Sequence, residues 1–227
     1  MRIGLRYLVF TVSLLAPLSA HADACVADGD SFVCGEGKGA MRVLADTISP
    51  NKQYAVAWRS SAGLPAKGEF PNGDVENLLI RLSDGQVLAK LGSEYWMNGE
   101  MRPNRFDFVT AWSPDSRAVI DFANSRWNTD AFGYHRIDGA TAESVDLLAL
   151  VSPALKGKLP AAKRDNYAFR VRDDAPIKLD NGGHARFGVM LYIPKSDPFS
   201  YYRVQVDIAG KNGKPAARIV SVQKSGE

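Results

Sequence analysis

Few side chains in this sequence have the type and spacing that catalysis or metal binding needs. A zinc site takes three or four converging Cys, His or carboxylate ligands. Past residue 22 the chain offers only His135 and His184, in separate segments, and two cysteines with a better use. Each histidine therefore reads as a polar surface or capping group. Asp28-Gly29-Asp30 and Asp173-Asp174 are too short for a calcium site of six or more oxygens, and turn chemistry accounts for both. There is no Gly-x-Ser-x-Gly elbow, phosphate loop or dinucleotide fingerprint. Ser49-Pro50-Asn51-Lys52 satisfies Ser-x-x-Lys, but that serine has to open a helix and here it opens a strand. Glu94, Glu100, Asp107, Asp121, Asp130 and Asp138 leave open a carboxylate pair at the roughly 5–10 Å that glycoside hydrolysis uses. The sequence names no catalytic residue, metal ligand or cofactor.

Two loops have an unusual composition. One reads Glu94-Tyr95-Trp96-Met97-Asn98, with Arg102 and Arg105 following; the other reads Asn124-Ser125-Arg126-Trp127-Asn128. Trp, Tyr and Arg are the types enriched at binding hot spots. Tyr95, Trp96, Arg102, Arg126 and Trp127 are therefore the candidate binding residues, forming one patch if loops 92–105 and 124–130 share an end of the molecule. In the competing reading, Trp96 and Trp127 fill gaps between sheets.

The N-terminus has the layout of an export signal: Arg2 and Arg6, an apolar run from Tyr7 to Ala16, Pro17, and Ala20-His21-Ala22 as a cleavage site. The run is about half the roughly 20 residues a membrane span requires. Cys25 and Cys34 are the only cysteines, and in an exported chain they read as one disulfide. Cleavage after Ala22 would remove two arginines and no acid, taking the net charge from +3 to +1. That balance gives no reason to expect nucleic acid or an anionic membrane as partner. No later segment approaches spanning length, so no membrane insertion is expected after cleavage.

With 45% hydrophobic and 23% charged residues, 20 Gly and 12 Pro, the composition is that of a globular chain. From Met41 short apolar runs alternate with turn signals, as in antiparallel β structure. Met41–Ile48 and Tyr54–Ser60 flank Ser49-Pro50-Asn51-Lys52, and Val75–Leu82 and Gln86–Leu91 flank Asp84-Gly85. Phe106–Trp112 and Arg117–Ala123 flank Ser113-Pro114-Asp115-Ser116, and Ala131–Ile137 runs into Asp138-Gly139. ISPNKQYAVAW with LLIRLSDGQVLAKL, and WSPDSRAVIDF with FGYHRIDGATAESV, thus form an internal repeat of two four-stranded units.

Trp-Ser-Pro-Asp ahead of a basic residue and an apolar strand, then a strand ending in Asp-Gly, resembles blade repeats of periplasmic β-propellers, both translocation-type and prolyl-oligopeptidase propellers. The resemblance covers residues 41–147 and implies propeller-like sheets, without any functional residue. The chain departs from it at Ser116, where the family pattern has Gly, and two copies fall short of the four blades a propeller needs.

Leu147, Leu148, Val151, Leu155 and Leu159 put an apolar face on one or two short helices, with Ser152 and Pro153 able to start the second. Tyr167–Arg172, Arg186–Ile193, Tyr201–Ile208 and Ala217–Gln223 return to strand patterning. The expected architecture is mostly β: a signal peptide (1–22), a disulfide-stapled N-terminal loop (23–40), two propeller-blade-like antiparallel sheets (41–147), a short helical insert (148–165) and a C-terminal antiparallel sheet (166–227). The functional expectation is a periplasmic or secreted protein, non-catalytic, binding an envelope protein or polymer. The alternative is a hydrolase that cuts an envelope polymer through loop carboxylates.

Overall fold

Two Ser-Pro turns set strand register in the computed structural model, which describes residues 25–195, 199–211 and 214–226. The expected signal peptide lies outside the described residues. At the first turn Ser49 Oγ donates to Asn51 Oδ1 (2.8 Å) and accepts from Tyr54 N (3.0 Å), while Asn51 Oδ1 also accepts from Gln53 N (3.0 Å). At the second, Ser113 Oγ donates to Asp115 Oδ1 (2.6 Å) and accepts from Ala118 N (3.0 Å), while Asp115 Oδ1 accepts from Arg117 N (3.1 Å). The repeat read in the sequence is thus repeated bond for bond at its turns. Lys52 and Ser116 both adopt φ 59°, the left-handed region that favours glycine.

The chain forms three antiparallel sheets, each following sequence order almost throughout. The first contains β1 (Val26–Asp28), β2 (Ser31–Cys34), β3 (Met41–Val43), β4 (Tyr54–Ser60), β5 (Val75–Arg81) and β6 (Val87–Lys90). The second contains β7 (Asp107–Trp112), β8 (Ala118–Asn124), β9 (Thr129–Asp138) and β10 (Thr141–Asp146). The helix α1 (Leu147–Lys156) leads to the third: β11 (Ala168–Val171), β12 (Lys178–Leu179), β13 (His184–Tyr192), β14 (Ser200–Lys211) and β15 (Lys214–Ser225). Here β11 and β12 both pair with β13. None of these sheets closes into a barrel.

Two expected boundaries differ. The stretch read as an irregular N-terminal loop contributes the β1–β2 hairpin, its ends joined by the Cys25–Cys34 disulfide, and extends the first sheet to six strands. The strand expected over Met41–Ile48 stops at Val43. Thr47 Oγ1 donates to Leu44 O (2.6 Å) and accepts from Val56 N (2.9 Å), so a side chain replaces the ladder and a 3-10 turn forms.

Strand alternation makes the second sheet the middle layer. Ile120, Phe122, Phe132 and Tyr134 pack with α1 and the third sheet. Val119, Phe108, Trp112 and Ile137, on the opposite face, pack against Trp58, Leu79 and Leu88 of the first. Asp146 caps α1 by accepting from Ala149 N (2.9 Å), and Leu147, Val151 and Leu155 bury fully beneath it. That stripe carries one helix straight through Pro153, so Ser152 starts no second helix.

Candidate functional site

Loop 92–105 is pinned at its start by Asn77. Its Oδ1 accepts from Tyr95 N (2.7 Å) and Ser93 Oγ (2.8 Å), and its Nδ2 donates to Tyr95 O (2.6 Å). The second loop is held against the third sheet by a buried polar clamp. Asn124 Nδ2 donates to Val171 O (2.9 Å), Thr129 Oγ1 donates to Asn124 Oδ1 (2.6 Å), and Val171 N donates back to Thr129 Oγ1 (2.7 Å). Between these anchors Ser125 N bonds Asn128 O (2.9 Å), closing a tight turn with Arg126 and Trp127 at its tip.

This turn forms one wall of a cleft of about 720 Å³ between the second and third sheets. Arg102, Arg105, Arg126, Arg170 and Lys195 line it, against one carboxylate among the described residues, Asp107. Trp127, Tyr192, Phe199 and Met190 supply its apolar surface. Arg102 and Arg170 share Asp107, each at 3.3 Å, and Arg170 also pairs with Asp173 at 2.7 Å. Arg105, Arg126 and Lys195 have no acidic partner among the described residues. The Arg126 guanidinium stands 4.6 Å over the Trp127 ring, and the Tyr192 hydroxyl donates to Trp127 O, fixing the indole's backbone. Burial raises the Tyr192 phenol above its ordinary range, with Arg170 pulling the other way, so it stays a neutral donor.

A second depression adjoins the first along β11. Arg172, just past the end of β11, lines it together with Lys178, Arg186 and Arg203. No acidic side chain among the described residues lines it. Arg172 pairs with the exposed Asp174 (2.7 Å) and lies 4.8 Å from the Tyr201 ring centre. Gly188 makes that crossing possible, since a Cβ there would sit 3.0 Å from Arg172 Cδ. The outer face of the third sheet therefore presents Arg170, Arg186 and Arg203, with the Tyr201 ring beside Arg172. Fixed guanidinium forks of this kind match carboxylate and phosphate groups.

Comparison with protein-family models and with curated proteins finds no match. Geometry alone speaks for the chemistry of the site.

The structure divides the five sequence candidates. Arg102, Arg126 and Trp127 line the cleft. Tyr95 and Trp96 lie in the core, 4% and 8% exposed. The Tyr95 ring stacks on Phe106 and Phe108, and Trp96 packs against Trp58 and Phe70. The Tyr95 phenol, raised chiefly by burial, faces Arg102 from below and in turn holds that guanidinium's pKa up, so Tyr95 positions a cleft residue without lining the cleft. Sequence reasoning missed Arg170, Arg186 and Arg203, which alternate with buried residues along β11, β13 and β14. His135, read as a surface or capping group, is 4% exposed and bonded to Asp121 and Ser144.

Proposed function

We propose that the protein binds an anionic glycan of the cell envelope, one bearing carboxylate or phosphate groups, along the cationic face of its third sheet. The observation that carries this reading is the charge balance of the first cleft, five cations against one carboxylate among the described residues, in a protein of net charge +3. A cleft in which cations outnumber carboxylates creates a local field suited to a multiply charged anionic partner. Two adjoining depressions favour a polymer over a single small ion. Trp127, half-buried and backed by Tyr192, offers a flat surface to a sugar ring. The Cys25–Cys34 disulfide supports a site of action outside the cytoplasm, and no helix among the described residues is long and apolar enough to cross a membrane. The matched Ser-Pro turns support treating the first two sheets as propeller-type blades that carry the third.

Isothermal titration of the protein with polygalacturonate and with inorganic polyphosphate, with dextran as a neutral control, tests the reading. Binding should weaken steeply as salt rises. Arg126→Ala and Trp127→Ala should each weaken it by about 5- to 30-fold, the range of a 1–2 kcal/mol hot spot. Equal affinity for dextran, or tighter binding of single-stranded DNA than of either anionic chain, overturns it.

A further inference from the structure

A different cleft holds a second arrangement with chemical capability. It measures about 370 Å³ and lies where the edge of the first sheet meets the second. Three residues from consecutive strands share one face there: Asp121 on β8, His135 on β9 and Ser144 on β10. Asp121 Oδ1 is 2.6 Å from His135 Nε2, and His135 Nδ1 is 2.7 Å from Ser144 Oγ. Asp121 is 1% exposed and His135 4%, whereas Ser144 is exposed at the cleft.

With Asp121 ionised and His135 neutral, the form a general base requires, this chain has one direction. An ionised carboxylate only accepts, so Nε2 carries the ring proton. Nδ1 then holds the lone pair, and the Ser144 hydroxyl donates to it. A base is thus bonded to an exposed hydroxyl and is itself oriented by a shielded carboxylate, the arrangement that activates a serine nucleophile. The two ring nitrogens are exchanged relative to the usual triad, which leaves the proton path intact. Register explains how the three meet. Asp121 pairs with Gly133, and His135 is two residues further along β9. A Cβ at Gly133 would lie 2.8 Å from Nε2 and 2.9 Å from Oδ1, so Gly133 is the gap through which carboxylate and imidazole touch.

We propose that Ser144 is the nucleophile of an acyl-transfer site, with His135 as its general base and Asp121 as the positioning residue, acting on small acyl esters. Ser144 Oγ attacks the ester carbonyl carbon. As the Oγ–C bond forms, the hydroxyl proton passes to His135 Nδ1. The carbonyl C–O bond to the leaving group then breaks, and His135 returns the proton to the departing oxygen, releasing the alcohol. Water repeats the sequence on the acyl-serine, releasing the acid and restoring Ser144. Lys90, the one cation lining this cleft among the described residues, is paired with Glu76 at 2.8 Å. The cleft volume suits a short acyl chain.

The test is covalent labelling of the full exported protein with an alkyl fluorophosphonate, the adduct located by peptide mass spectrometry. The fluorophosphonate should modify Ser144 about 100-fold or more faster than the exposed Ser83, the lower end of what a positioned base contributes. His135→Gln should remove that advantage. Asp121→Asn should lower the maximal labelling rate about tenfold or more while leaving the half-saturating probe concentration unchanged, a split that general loosening of the fold would not produce. Folded wild-type protein in which Ser144 is unlabelled, or labelled no faster than Ser83, overturns the proposal. That comparison requires no variant, so it decides the matter even where a His135 or Asp121 variant fails to fold.

Discussion

Gly133→Ala tests the packing of the second sheet at one atom. The added Cβ would stand 2.8 Å from His135 Nε2, 2.9 Å from Asp121 Oδ1 and 3.3 Å from His135 Cε1. Both neighbours are buried, so neither side chain can swing into solvent. Relief requires breaking the 2.6 Å contact between them. Loss of a buried hydrogen bond to a charged group costs about 1.5–3 kcal/mol, and residual overpacking adds about 1–3 kcal/mol. The stiffer unfolded chain returns about 0.4–1 kcal/mol. The net is a destabilisation of about 3 kcal/mol, or roughly 6–12 °C in Tm for a domain of this size. Gly92→Ala is the matched control: its Cβ would meet only Ala131 Cβ, at 3.5 Å, an ordinary contact. Thermal unfolding followed by circular dichroism reads both. A Gly133→Ala Tm within about 2 °C of wild type, or one matched by Gly92→Ala, would refute the reasoning.

Further outcomes follow from the same packing. Trp96→Ala should destabilise by about 3–5 kcal/mol, as for a core aromatic, while Trp127→Ala should stay within about 1 kcal/mol; similar urea midpoint shifts for the two would contradict their placement. Lys52→Gly should stabilise by about 0.5–1 kcal/mol, because relief of left-handed strain exceeds the extra unfolded-state entropy; a lowered Tm would show that Lys52 makes a contact the turn geometry does not account for. Glu76 is held below the ordinary glutamate range by Lys90 first and Arg59 second. Its contribution is present above the unfolded pKa, near about 4.3, and is lost as the pH falls through the lower folded value. Glu76→Gln should therefore lose less stability than wild type between pH 5 and pH 3, and parallel losses in chemical unfolding would reject the pairing.

The turns were legible because their chemistry is local: Ser-Pro-Asn and Ser-Pro-Asp each carry the side-chain acceptor that closes them. The long strands of the second and third sheets were legible from alternation. The β1–β2 hairpin was not, since strands of three and four residues disappear among Gly and Asp, and their pairing depends on the third strand and the disulfide. His135 was misread because spacing says nothing of what a neighbouring glycine lets a side chain reach. Asp121, His135 and Ser144 become neighbours only through the register of three strands. The cationic face was hidden by averaging. A net charge close to neutral gave no reason to expect nucleic acid or an anionic membrane, and it carries no information on how charge is distributed: Arg170, Arg186 and Arg203 occupy solvent-side positions of strands whose other face is core. That alternation is the signal a charge-by-face reading would have found. Of the two aromatic loops, composition picked out both, and only packing could send Trp96 inward and leave Trp127 at the cleft.

Nuclear magnetic resonance mapping with short polygalacturonate oligomers, in low-salt buffer, tests the central claim most directly. Binding along the cationic face predicts that shift changes gather on Arg126 and Trp127, on Arg170 of β11 and Arg172 just past its end, and on Arg186 and Arg203, and that they fade together as salt is added. Shift changes centred elsewhere, or none at saturating oligomer, would contradict it.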